Sequence, residues 1–319
     1  MKSIIITGAS GLVATELIAF LLQASDEYLI YAITTHPEKL KERYRNSPHV
    51  FCYALDEIEE NIKNPIYAVV HCAFARNIDA KDIALSLRYT SELLKVVKRL
   101  NASLFINISS QSIYGQITPP LWTEQTTPAP NYLYALGKFS TEEMVAVAFE
   151  GTNIKYTNIR LSSLCEKARF LNVFAKNALM GEPINLQGGD QICSFIDVRD
   201  VASGLATVIH KAPLINPLAP IYNLGSGKTR TIKELAEDTK RLVEDAKGIP
   251  VKINVIPADI KLEIGMNTSL FCNTFEWQPK YGYDEMIWSL ISLNDTETKG
   301  ERIPYSFKIL YSEINNKNE

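Results

Sequence analysis

Short, almost wholly apolar runs alternate along the first half of the chain with longer stretches in which apolar positions recur every three or four residues. The runs "SIIIT" from Ser3, "YLIYAIT" from Tyr28, "IYAVVHCAF" from Ile66 and "SLFINISS" from Ser103 are rich in Ile, Val or Phe and predict buried strands. Between them, Leu17, Leu21 and Leu22 mark one amphipathic helix, and "SELLKVVKRLN" and "YLYALGKFSTEEMVAVAFE" are the clearest others. Strands that alternate with helices belong in one parallel, doubly wound α/β sheet, because each crossover helix carries the chain back over the sheet face. After residue 165 the pattern loosens, with Gly and Pro punctuation in "MGEPINLQGGDQ" and "KAPLINPLAPIYNLGSGK". The chain therefore divides into a sheet domain over residues 1–165 and a smaller lobe over 166–319, with 195–225 returning to the sheet. The polar tail "SEINNKNE" is expected to fray.

Composition removes several function classes. With 319 residues, 46% of them hydrophobic, the chain can bury a large core, and a formal charge of -3 provides no basic field for nucleic acid. No apolar run approaches the roughly 18 residues of a membrane span, and the apolar start breaks at Gly8 with no cleavage-like sequence after it. A cytoplasmic protein with neither a membrane nor a nucleic-acid partner is expected. Cys52, Cys72, Cys165, Cys193 and Cys272 are scattered, with no Cys/His spacing for zinc, so a reduced, metal-free chain is the simplest account.

Candidate chemistry begins at the end of the first strand, in "TGASGLVATEL". Gly8 permits a tight turn, Gly11 lets the backbone approach a pyrophosphate, and the helix that follows points its N-terminal amides at phosphate charge. Ala14 stands where close helix packing asks only for a small side chain. A glycine turn with no ligand is the plain alternative; its place at the first strand-helix junction favours a dinucleotide. A second constellation is "INISSQSIYGQ" with "NYLYALGKFS": Tyr134 and Lys138 are four apart and emerge on one helix face. A phenol with an ordinary pKa of about 10 is a poor base at neutral pH, and a nearby ammonium favours its ionised form. Lys138 is therefore the expected tuner of Tyr134, and Ser110, at the end of the adjoining strand, can hold the reacting oxygen. Alone, the Tyr/Lys spacing is equally a helix surface.

Together these segments resemble the extended short-chain dehydrogenase/reductases of the NAD-dependent epimerase/dehydratase family, whose members mostly act on nucleotide sugars. "TGASGLVA" resembles that family's glycine turn, "YAVVHCAFA" its fourth strand, "INISSQSIYG" its serine strand and "YALGKFSTE" its Tyr/Lys helix. The likeness continues in "NALMGEPINLQGGDQICSFIDVRDVASGL" and "IYNLGSGKTRTIKELAE". It implies a Rossmann-type sheet with a C-terminal α/β substrate-binding lobe, and Ser110, Tyr134 and Lys138 as the catalytic triad. By the same resemblance Gly8, Gly11, Leu12, Val13, Ala14, Thr34, Asp56, Ala73 and Lys138 contact the cofactor, and Ser112, Ser163 and Cys193 the substrate. Asp56 is otherwise an exposed loop acid. A homodimer paired through the helix after the fourth strand and the Tyr134 helix is implied as well.

The chain also departs from that pattern. The acid that binds the ribose hydroxyls in NAD-using members is replaced by Thr34, Thr35 and His36, which leaves room for a 2'-phosphate near Lys39 or Lys41. The expected cofactor is NAD(P), with NADP(H) favoured. An arginine and an aspartate usual before "FI" are Cys193 and Ser194, and a usual asparagine is Ser163; Lys261, Lys167 or Arg169 are left to hold a nucleotide sugar. The acidic pair that follows the catalytic serine or threonine in sugar 4,6-dehydratases is Gln111 and Ser112. The expected function is an NAD(P)-dependent 4-epimerase or 4-ketoreductase of a sugar nucleotide. A non-catalytic dinucleotide sensor or scaffold, or a reductase of a non-nucleotide carbonyl compound, is the alternative.

Overall fold

Six strands from the first half of the chain lie in one parallel sheet: β1 (Lys2–Thr7), β2 (Tyr28–Ile33), β3 (Val50–Tyr53), β4 (Ile66–His71), β5 (Leu104–Ser110) and β6 (Lys155–Leu161). The computed structural model describes residues 1–24, 27–76, 79–116, 120–295 and 303–309, and the tail 312–319 lies outside the described residues. A seventh strand, Ile221–Leu224, pairs in parallel with β6 and completes the order Ile221–Leu224, β6, β5, β4, β1, β2, β3. Strand order reverses between β1 and β4, so the helices that follow them leave on opposite faces and open a crevice at the strands' carboxyl ends.

The strands are apolar on both faces because both faces are covered. Ile4 and Ile6 enter one core with Leu17 and Ile18 of α1 (Leu12–Ala24); Ile5 faces the other core. After β2 come α2 (Pro37–Arg43) and the short α3 (Ile58–Asn61). The second face is covered by α4 (Ala80–Arg99) and α5 (Leu133–Phe149), which pack Leu93, Val97, Val145 and Phe149 against Ile5, Val69 and Phe105. Burying these four helix side chains is worth on the order of 10 kcal/mol before the entropy of ordering them.

The lobe is built from α6 (Arg169–Leu179), α8 (Ile232–Lys247) and α10 (Tyr283–Asn294) around Phe174, Leu235, Ile287 and Ile291, with Ile184–Gln187 and Ile253–Ile256 paired in parallel beside them. Between α6 and α8 the chain returns to the sheet domain. There α7 (Val198–Lys211) packs Leu205 and Ile209 into the α1 side of the sheet, and Ile221–Leu224 enters the sheet itself.

Candidate active site

The carboxyl edge of the sheet forms one wall of a cleft enclosing about 510 Å³. Gly8, Gly11, Leu12, Val13 and Ala14 line it. Gly8 has φ +64°, and a Cβ there would stand 2.8 Å from the backbone of Ala73, so the turn and the chain leaving β4 touch backbone to backbone. That approach also explains why "IYAVVHCAF" stops being a strand at His71. Gly11 N donates to Gly8 O at 2.8 Å and closes the turn, Ala9 N donates to Ile33 O of β2 at 3.1 Å, and α1 begins at Leu12 with its first amides toward the crevice. A diphosphate fits this cradle, because the first turn of α1 has amide donors to spare and no side chain at Gly8 or Gly11 stands in the way.

Thr34 is buried at the end of β2, where its hydroxyl accepts from His36 N at 3.4 Å. Asp56 is exposed in the turn after β3, and Ala73 follows β4; all three share the carboxyl edge but do not line the cleft. Lys41 is engaged by Glu38 at 2.8 Å, and Lys39 is exposed. The α2 cation joined to the glycine turn is instead Arg43: its guanidinium donates to Thr15 Oγ1 at 3.3 Å, and that hydroxyl donates to Ala9 O at 3.3 Å. Arg43 was not legible from sequence because its role depends on α2 folding back over α1.

Ser110, Tyr134 and Lys138 converge where β5 ends against α5. Ser110 caps the turn Gln111–Tyr114, its hydroxyl accepting from Ser112 N at 3.2 Å, and Tyr134 is half-buried and lines the cleft with it. Burial pushes the Tyr134 phenol above its ordinary value, and the Tyr132 phenol adds to the rise; the Arg76 guanidinium and the bond with Ser110 act in the opposite sense. Lys138 is buried and donates to Ile108 O at 2.6 Å; burial lowers its pKa to about 8, with Cys72 and Glu142 acting the other way. The Phe74 ring lies edge-on to Tyr134 at 5.8 Å, and the Lys138 ammonium stands 4.4 Å over that ring. The cation acting on the phenol is Arg76, while Lys138 is satisfied by a β5 carbonyl. Arg76 directly follows the fourth strand in "HCAFARN", a position that overhangs the carboxyl edge, and this was the signal that sequence reasoning passed over.

Gln111 is buried and held in place, its amide donating to Ser163 Oγ at 2.8 Å and accepting from Ser162 Oγ at 3.4 Å. Ser112, Ser163 and Lys167 line the cleft, whereas Lys261 and Arg169 do not. Cys193 does not reach it either. It is buried in the lobe core with Phe174 and Phe195, because the ladder pairing it with Arg230 turns its side chain inward; Ser194 donates to Lys228 O at 2.9 Å. Ser109 and Ser112 have buried hydroxyls with no partner among the described residues, and both residues belong to the cleft wall. No Asp or Glu is among the described lining residues.

Known proteins resemble this chain throughout. The profile of the NAD dependent epimerase/dehydratase family matches residues 4–225. The dTDP-glucose 4,6-dehydratase of Haemophilus influenzae is 23% identical, over 89% of this chain and 95% of that protein. UDP-glucose 4-epimerase from Bifidobacterium longum, solved in complex with NAD+ and UDP, shares the fold with a TM-score of 0.67 and 20% identity, over 91% of this chain and 97% of that one. RMD from Pseudomonas aeruginosa, solved with NADPH, gives a TM-score of 0.71 at 19% identity, over 97% and 100%. The matched stretch runs through the glycine turn, the serine strand and the Tyr134 helix, and the chain belongs to the NAD dependent epimerase/dehydratase family, NAD-dependent enzymes of the extended short-chain dehydrogenase/reductase type.

Proposed function

We propose that the protein exchanges hydride and proton at C4 of a sugar nucleotide, as a 4-epimerase or a 4-ketoreductase. The observation that carries this reading is the presence of Ser110 and Tyr134 side by side in the lining of a cleft whose described lining holds no carboxylate. A bound nicotinamide supplies the hydride acceptor and donor. Tyr134 takes the proton from the C4 hydroxyl, or returns it to the C4 carbonyl oxygen, and Ser110 hydrogen-bonds the same oxygen and fixes its distance from the phenol. Lys138, cationic below about pH 8 and close under Phe74, is placed to swing from Ile108 O to a ribose hydroxyl. Gly8 to Ala14 hold the diphosphate of NAD(P), and Arg43 favours the form with a 2'-phosphate.

Elimination of water from a hexose needs an acid for the leaving C6 hydroxyl and a base for the C5 proton. Gln111 cannot titrate and is anchored to Ser162 and Ser163, and Ser112 is too weak an acid. Incubating the protein with UDP-, dTDP- and GDP-hexoses and each nicotinamide tests this by product mass. An isobaric C4 epimer, or a gain of two hydrogens with NADPH consumed, is expected; loss of one water would sink the reading.

One observation favours a second reading. Cys193 and Ser194 do not line the cleft, where Lys167 is the one lobe cation among the described lining residues, and a carbonyl compound without a nucleotide is the alternative substrate.

We also propose a homodimer through α4 and α5, which pack side by side and leave Leu85, Leu136 and Val147 exposed. Light scattering at micromolar concentration should give twice the chain mass, and a monomer there removes this arrangement. Among the described residues no helix is long and apolar enough to cross a membrane, and the five cysteines are free.

A further inference from the structure

The described lining of the cleft carries two formal charges, both positive: Arg76, just past β4, and Lys167, closing the turn Cys165–Lys167 past β6. Acids close in sequence are engaged elsewhere. Glu166, beside Lys167, is buried and accepts from Val198 N, and Asp79, three residues past Arg76, accepts from Lys81 N at the start of α4. Burial lowers the pKa of Lys167, repulsion from Arg76 adds to the fall, and Glu166 acts the other way. Arg76 and Tyr134 line the same cleft, and the guanidinium acts on the phenol. Two buried hydroxyls without partners among the described residues, Ser109 and Ser112, lie in the same wall, one residue before and two after Ser110. Paired cations, spare hydroxyl donors and no competing acid form a receptor for an anion.

We infer that Arg76 and Lys167, with the Ser112 hydroxyl, receive a carboxylate carried next to the carbon that exchanges its proton with Tyr134, so that the preferred substrate is a hexuronate rather than a neutral hexose. The inference rests on Tyr134 acting as proposed above. A C6 carboxylate is attached to C5, the neighbour of C4, and this is the separation that lets one guanidinium serve both the anion and the phenol. Arg76 supplies the planar fork that matches a carboxylate, and Lys167 a point charge. Neutralising the pair relieves their mutual repulsion, so the gain is specific to an anionic substituent at this end of the sugar.

Calorimetric titration of the cofactor-loaded Tyr134→Phe protein, which holds substrate without turning it over, tests this with matched pairs. These are UDP-glucuronate against UDP-glucose, GDP-mannuronate against GDP-mannose, and glucuronate 1-phosphate against glucose 1-phosphate. At least one carboxylated member should bind about tenfold or more tighter than its neutral partner, the scale of one charge-assisted contact. Arg76→Gln and Lys167→Gln should each shrink that ratio while leaving the neutral member's affinity within about twofold. Equal affinity within every pair overturns the inference and leaves the C4 chemistry standing. A preference that survives in the Arg76→Gln/Lys167→Gln double variant overturns the assignment to these residues. If the variants weaken both members alike, the pair grips the diphosphate and the carboxylate inference fails. A preference confined to the 1-phosphates supports the carboxylate site and removes the nucleotide from the proposed function. Failure of every compound to bind overturns the inference.

Discussion

Replacing Tyr134 by Phe should lower turnover by at least about a hundredfold, the scale of general acid-base assistance, with melting temperature and cofactor affinity unchanged. The ring keeps its edge-on contact with Phe74 and its stacking on Tyr132, and Ser110 still accepts from Ser112 N, so only the exchanging hydroxyl is lost. The pH dependence follows from the direction of the phenol's shift. Oxidation of an alcohol requires the phenolate; because burial raises the phenol above its ordinary value, the ionised fraction is small at neutral pH and grows as pH rises. Oxidative turnover should therefore climb through the alkaline range. Reduction uses the neutral phenol and should stay level until pH approaches the raised value. Steady-state rates in both directions measure this, and Tyr134→Phe turnover within tenfold of the parent would exclude the phenol from proton exchange.

The second large effect is expected at Gly8. An alanine there must hold φ +64°, a conformation costing an L-residue roughly 1–2 kcal/mol, and its methyl carbon would stand 2.8 Å from the Cα and N of Ala73. Both colliding parts are backbone at the ends of central strands, so neither yields without disturbing β1 or β4. Gly8→Ala should lose at least about 2 kcal/mol of stability, and cofactor binding should fall with the displaced turn. Gly11 is the contrast: a Cβ there meets only Gly8 O, at 3.1 Å, and its φ is not positive. Gly11→Ala should lose much less stability. Urea unfolding and cofactor titration of the two variants check the order; equal stability losses would show that the approach of Ala73 is not what demands Gly8.

Much of this was readable before any coordinate was known, and the reason is locality. The strands announce themselves because residues two apart share a face, as Ile4 and Ile6 do, and the glycine turn because Gly8 and Gly11 lie within one loop. Ser110 and Tyr134 could be paired because each sits at a recognisable end of its own element. What escaped depends on groups brought together from separate elements. Phe74 lies between Tyr134 and Lys138 only because the chain turns after His71, and Gly137 leaves the space, since a Cβ there would stand 2.9 Å from the Phe74 ring. Cys193 stood at a substrate position by resemblance, but its two-residue ladder with Arg230 decides which way it faces. The charge on Arg76 carries no periodic signature at all.

The return of the chain to the sheet has a bearing on how the molecule can be cut. The strand Ile221–Leu224 completes the edge beside β6, and α7 covers the face that α1 presents, yet both are encoded after the first lobe helix. No continuous fragment therefore corresponds to the nucleotide-binding half. A piece ending at residue 165 would carry an open β6 edge and a bare apolar flank on α1, which invites association with other chains. The excisable part is the reverse of what a linear map suggests: the sheet domain is the interrupted one, and late residues must be synthesised before early ones can finish folding.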